Sequence, residues 1–464
     1  MLGTIARKEF TEMTRDGRFR WAAVAAALLL GVALLAGASS WRAQQAQQVQ
    51  ATAQMREFWV NQGPKNPHSA AHYGTWAFKP KLTLAYVDQG VDPYTGVAAY
   101  LEAHKQNAFR FRPAADASAV QRLGDWTAAG VLQVLVPLLV IVAGFGAFAS
   151  EREQGTLRQL AALGVPARTL MLGKAAGMGG ALALVLVPAA VLGAIALVLA
   201  AGGPALVADL PRVAALAATY LAYFGIVAAV TLTVSAWART ARGALVTLLL
   251  AWAGTTLVLP RIAAVVAAQA HPVVAPQEFA ARIRRDLAEG IDEAALERRT
   301  LAQYAVATVA ELPVNYDAIR MQAGEEHGNE VFDRHFGALY DTYRAQATIH
   351  AAFGAISPVL AVRALSMAIA GTNVEQHRAF AEAAESYRRL LVKAMNEDQA
   401  QHSRTGDWDY QAPPELWASL PPFDYEAPSV GTALRGEATA LAVLGAWLAI
   451  AAWSIGRARR LEVA

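Results

Sequence analysis

Charge disappears from this chain six times. Residues 22–40, 128–149, 175–203, 213–237, 244–259 and 438–455 contain no Asp, Glu, Lys or Arg, and the fifth run continues past Pro260 and Arg261 into IAAVVAAQA. A run that leaves no face for water predicts a helix in lipid. About 20 residues at 1.5 Å rise cross a hydrocarbon core of about 30 Å, and a helix satisfies its own backbone where no water can. The expected fold is an all-α polytopic membrane protein with six transmembrane helices, at 21–40, 128–149, 175–203, 213–237, 244–265 and 437–456. Pro137 and Pro188 mark expected kinks in the second and third spans, and abundant Gly and Ala permit close helix contact.

The remaining segments carry polar patterns of different kinds. Over 1–20, Leu2, Ile5, Phe10 and Met13 share one helical face while Arg7, Lys8 and Glu12 lie off it, which predicts an amphipathic helix in the inner headgroup layer. The first apolar run follows a basic lead and contains AGASS, as a secretory signal would. Its length and the patterning of its lead favour an uncleaved anchor.

Residues 41–127 form a first insertion. RAQQAQQVQATAQMREFWVNQ should prolong the first helix, FKPKLTLAYVD suits a short strand, and NPHSAAHYG and VDQGVDPYTG are turn-rich. Residues 266–436 form a larger, mainly helical insertion. There Thr372 and Glu375 have capping-box spacing, and Phe380, Ala384, Tyr387, Leu391 and Met395 recur at helical intervals. Similar patterns over 279–301 and 331–349 complete a small helical bundle. Trp408, Trp417, Phe423 and Tyr425 either rest at the outer headgroup level or pack on that bundle.

Composition agrees: 55% of the 464 residues are hydrophobic and 17% charged, against about 25% charged in soluble domains. Basic residues beside membrane spans stay in the cytoplasm. Residues 1–20, 150–174 and 457–464, with the turn at 238–243, hold 14 of the 40 basic residues beside six acidic ones, leaving 26 basic against 31 acidic residues elsewhere. Both termini are therefore expected inside, in the cell's inner membrane. The net charge of +3 hides a polarised molecule and gives no reason to expect nucleic-acid binding. No cysteine is present, so there is no disulfide, thiolate metal site or lipidated thiol.

Between the second and third spans the chain spends 150–174 on SEREQGTLRQLAALGVPARTLMLGK. Leu157, Leu160 and Leu163 form a short apolar ridge, Glu151 and Glu153 suit a helix N-terminus, and Gly164, Val165 and Pro166 end the helix. The ridge either lies on the inner leaflet or is received by a partner. This loop resembles that of ABC-2 type exporter permeases: an acidic start, a Gly-Thr-Leu helix, a break with Pro, then Leu-Gly-Lys leading into a span. SPVLAVRALSMAIAGTN at 357–373, FDYEAP before the last span and LEAHKQN in the first insertion further resemble the DUF3526 subgroup. Both insertions are larger than in plain six-span exporters.

That resemblance implies a permease subunit, working as a dimer or with a related permease in the lipid bilayer. A separate ABC ATPase subunit would receive the loop as a coupling helix, with Leu157, Leu160 and Leu163 as the contact ridge and Glu151, Gly155, Thr156 and Arg158 around it. ATP and Mg would be used by that subunit, none being bound here. The output would be export or extraction of an unknown substrate, or motion passed to an external partner protein without flux.

No enzymatic role of the chain's own is expected. A phosphate loop needs G-x-x-x-x-G-K-[ST], whereas Gly164 stands nine residues before Gly173 and Ala175 follows Lys174; Lys174 is expected to snorkel at the inner end of span three. His68 and His72, and His327, Glu330 and His335, form no H-E-x-x-H pattern. Asp407 and Asp409 around Trp408 read as a turn. No G-x-S-x-G occurs, so no catalytic or metal residue is assigned and the substrate-binding residues stay unknown.

Overall fold

A computed structural model describes residues 1–116, 118 and 126–457, with side chains for all of these except 116, 200–206 and 457. Helix accounts for 77% of it. Six helical segments are long and apolar enough to span a membrane: Gly17–Val60, Ala128–Glu153, Ala167–Leu199, Val207–Trp237, Ala241–Ala270 and Ala438–Gly456. Five of them contain one of the six uncharged runs whole, and the third contains 175–199 of the run 175–203. Most of the predicted tail, 457–464, and residues 117 and 119–125 of the first insertion lie outside the described residues.

The first of these helices has 44 residues, about 66 Å of rise, twice what lipid needs. Its outer half carries the Gln- and Ala-rich sequence, so good helix formers continue the rod where hydrophobicity stops. Spans three and four fall within one helical assignment, Ala167–Trp237. Gly144 nevertheless packs against both Met178 and Thr231, which would stand roughly 80 Å apart on a straight helix. The two arms therefore run antiparallel against span two.

Proline shapes spans two and five alike. A π-helical turn, Val131–Leu135, precedes Pro137, and another, Gly254–Val258, precedes Pro260. A proline ring has no N–H and crowds the carbonyl four residues back, and a wide turn absorbs that mismatch. The carbonyl freed by Pro137 is that of Gln133, and the Tyr223 hydroxyl donates to it at 3.1 Å. Pro188, also expected to kink its span, sits inside a continuous helix.

In the first insertion the strand forms earlier than predicted. Thr75–Phe78 pairs antiparallel with Ala98–Glu102, which pairs with Lys105–Gln106. Thr83–Tyr86 is instead a 3-10 turn, because Leu84 and Tyr86 are buried against the spans and the Trp41 indole N–H donates to the Leu82 carbonyl at 3.0 Å.

The second insertion contains helices Pro276–Leu287, Glu293–Tyr304, Tyr316–Ala352, Pro358–Ala370 and Val374–His402. The last is capped by Asn373, whose side chain accepts from the Gln376 N–H at 3.0 Å. The expected capping glutamate, Glu375, turns outward to pair with Arg344. Trp417 is fully buried edge-on against Trp59 and donates to the Gly63 carbonyl; Phe423 and Tyr425 pack on Phe380. Three of the four aromatics thus join the bundle, and Trp408 alone of them is exposed.

Helix Pro358–Ala370 differs from its neighbours. Val359, Leu360, Ala361, Val362, Leu365, Ala368 and Ile369 are all buried, and Arg363 and Ser366 are the polar residues within it, so it is apolar on most sides, as a core helix is. It packs against the sixth span and the paired third and fourth spans. This part of the insertion is a wedge set among the span ends.

Candidate functional site

The loop helix is Thr156–Ala162, seven residues bracketed by two glycines in the left-handed region, Gly155 at φ 76° and Gly164 at φ 72°. Few side chains tolerate that geometry, which is why the helix starts and stops where it does. At its end the Val165 N–H reaches back to the Leu160 carbonyl and the Gly164 N–H to that of Ala161, a Schellman-type closure. Pro166 then caps the helix that becomes span three.

Three clamps hold the loop rigidly. Arg152 donates to the Ala236 and Ala238 carbonyls at 2.7 and 2.8 Å, occupying the carbonyl end of span four, where a cation is favoured. The Ser235 hydroxyl accepts from the Phe148 and Ala149 N–H groups. The third clamp is a buried ion cluster. Lys174, 1% exposed, places its ammonium 2.6 Å from Glu9 Oε1 and 2.9 Å from Glu151 Oε1, and Lys8 reaches the same Glu151 oxygen at 2.8 Å. Lys174 therefore does not snorkel. The leading helix, Leu2–Arg15, lies over it, and Glu9 of that helix and Glu151 of the loop take the place of water. At Lys8, burial works against the charge, but Glu151, Glu9 and Glu12 outweigh it and hold the ammonium pKa above its ordinary value.

The leading helix reaches this position along a groove of glycines. A β-carbon on Gly173 would meet Ile5, one on Gly177 would lie 2.6 Å from the Glu9 β-carbon, and one on Gly180 would touch Phe10. Met13 and Glu9 are buried and Ile5 and Phe10 partly so. Most of the predicted amphipathic face is spent on span three, and Leu2 remains exposed.

The predicted contact residues divide accordingly. Leu157 is buried at 4% exposure in the core shared with Phe148, Leu170 and Met178, and Leu160 packs against that core. Glu151 is committed to the ion cluster, while Thr156 donates to the Glu151 carbonyl at 3.2 Å and Gly155 provides the left-handed start. Arg158 and Leu163 face outward, Leu163 at 76% exposure. The three leucines do not form one outward ridge, since positions i, i+3 and i+6 turn through roughly 600° and the ends of the ridge diverge. Beside the loop helix opens a cleft of about 520 Å³, lined by Glu12, Asp16, Arg18, Gln154, Gln159 and Leu163 among others. Lys8, Glu9 and Lys174 were not singled out as a group by the sequence. The available signal was a lone lysine abutting an apolar run with a glutamate across the loop.

At the opposite pole a second polar chain ties the insertions to the spans. Arg363 donates to the Gln133 side-chain carbonyl at 3.2 Å, the Gln133 amide donates to the Tyr220 hydroxyl at 3.1 Å, that hydroxyl lies 3.0 Å from Ser366, and Ser366 donates to Asp88 at 2.6 Å. Every donor points toward Asp88. Burial pushes the Asp88 carboxyl pKa up, opposed by Ser366 and the Gly90 N–H. Arg212, at the head of span four, donates to the Ile369 carbonyl at 2.7 Å and to that of Pro428.

A helical bundle with six membrane-spanning helices, a clamped loop at one pole and a wedged insertion at the other defines a multi-pass membrane protein. Two family models cover most of its length: one described as ABC-2 family transporter protein matches residues 107–268, and DUF3526, a domain of unknown function, matches residues 277–426. The chain is an ABC-2 type permease carrying a DUF3526 region. Among curated proteins, none matches it.

Proposed function

We propose that this chain is the membrane subunit of an ATP-driven ABC transporter, coupling hydrolysis in a separate ATPase subunit to export or extraction of a substrate. The observation that carries the reading is the loop at 149–163. It is too short to bend, clamped to spans three and four and to the leading helix, and it offers Arg158, Gln159 and Leu163 to the outside. A lever of this kind transmits displacement, which a flexible linker does not. The loop pole is cytoplasmic and the membrane is the inner one. Two copies, or this chain and a related permease, face two ATPase subunits, which bind the ATP and Mg.

Arg158→Glu with Leu163→Asp is expected to abolish co-purification with the co-expressed ABC ATPase partner and to leave the permease's thermal unfolding unchanged. Leu157→Asp should instead lower the unfolding temperature, because it buries an unpaired charge at a cost of several kcal/mol. Undiminished ATPase binding by the Arg158/Leu163 variant would remove the loop from the contact.

A second reading is supported by the wedge helix Pro358–Ala370. The Asp88–Ser366–Tyr220–Gln133–Arg363 chain binds it to spans two and four, so movement of the spans would be passed directly to the insertions and on to an external partner. Substrate flux in vesicles reconstituted with the ATPase distinguishes the two readings.

A further inference from the structure

Of nine histidines in the chain, three converge on one spot of the first insertion. His68 and His72 stand one turn apart on helix Pro67–Tyr73, with their Nε2 atoms 3.1 Å apart. His104 comes from the turn between the second and third strands, and the ligating nitrogens of all three lie within 4.8 Å of one another. We propose that His68, His72 and His104 form a binding site for one divalent transition-metal ion of the zinc type.

Imidazole nitrogen is the preferred donor for Zn²⁺, Cu²⁺ and Ni²⁺, and three histidines leave a fourth position open to water or to a carboxylate from outside. Tetrahedral zinc with Zn–N bonds of about 2.0–2.1 Å separates its ligand nitrogens by about 3.4 Å. The His68–His72 pair already stands near that spacing. His72 is exposed, so its ring is free to close the remaining distance to His104.

The surroundings suit a metal better than they suit three ordinary surface histidines. His104 sits at φ 65°, a left-handed conformation that turns more readily give to glycine or asparagine. Its backbone N–H donates to Glu325 Oε1 at 2.7 Å, and its Nδ1 lies 2.6 Å from the same oxygen. That leaves Nε2 as the atom for an ion, in the carboxylate–histidine arrangement that fixes the ring of a metal ligand. Glu325 is itself buried and held by Arg388 at 3.1 Å, and Arg388 is held by Glu385 at 2.8 Å. A site at this position would fasten the strand turn of the first insertion to the DUF3526 helices Tyr316–Ala352 and Val374–His402. It does not depend on the ATPase reading.

The test uses full-length permease in detergent, purified without a histidine tag, and titrated with ZnCl₂ by calorimetry. One equivalent should bind, and zinc should raise the unfolding temperature. His72→Gln and His104→Gln change exposed side chains. Each should retain the helical circular-dichroism signal, and the double variant should bind more than about 100-fold more weakly, a larger loss than the 10–100-fold typical of outer-shell changes. Co²⁺ in place of Zn²⁺ should give the visible d–d bands of a tetrahedral nitrogen site in the wild type only. Zinc affinity and cobalt spectrum unchanged in a folded double variant, or no zinc binding by the wild type, would overturn the site.

Discussion

Lys174 shows how one side chain decides the function of a surface. Read along the sequence it is a cation at a span end, free to reach the headgroups. In the folded chain its ammonium is enclosed by Glu9, Glu151 and the ring of Phe148. Removing the cation would leave two carboxylates close together and out of water. Lys174→Met should therefore destabilise the protein by about 3–5 kcal/mol, read as a lowered unfolding temperature. Adding Glu9→Gln should recover part of the loss, and strictly additive effects of the two changes would argue against a shared cluster. Leu157 carries the same lesson: its place in the helical repeat was legible, but whether that face met a partner or its own chain depended on spans that approach only in three dimensions.

The element that most needs its neighbour is the leading helix. Its packing rests on backbone approach at Gly177, where a methyl group would stand 2.7 Å from the Ala6 carbonyl. Gly177→Ala is expected to push the helix outward at a cost of about 1–3 kcal/mol and, by loosening it, to speed trypsin cleavage after Arg7 and Lys8, whose side chains are already exposed. Gly179, two residues on, has nothing within reach of a β-carbon. Gly179→Ala should be neutral, or stabilising by up to about 1 kcal/mol through helix propensity. Equal protease sensitivity in both variants would mean that the groove does not hold the helix. The wedge helix is the converse case. Its hydrophobic sequence was visible, but at 13 residues it is too short to span lipid, and only its packing against the sixth span and the paired third and fourth spans explains what covers it.

Across the described residues, the basic segments 1–20, 150–174 and 238–243 gather at one pole and the DUF3526 region at the other. The absence of cysteine permits a clean test of sidedness. Single replacements Arg158→Cys and Arg298→Cys fall on exposed positions of the loop helix and of helix Glu293–Tyr304. An impermeant thiol reagent added to intact cells should label position 298 alone and reach position 158 only after lysis. Labelling of both in intact cells would put the loop on the wrong side for an ATPase.

The six spans, the outward extension of the first helix and the end of the loop helix at Gly164 followed from sequence alone, because each depends on local quantities: an unbroken apolar run, helix propensity, a glycine able to adopt positive φ. The start of the loop helix did not, since Glu151 and Glu153 belong to a separate turn of helix, Ala149–Glu153, that ends before Gly155. Tertiary structure decided which charges became buried partners, which leucine faced outward and which three histidines met. Those outcomes depend on residues far apart in the chain, such as His72 and His104 or Glu9 and Lys174, whose encounter is set by how helices pack and appears in no spacing along the sequence.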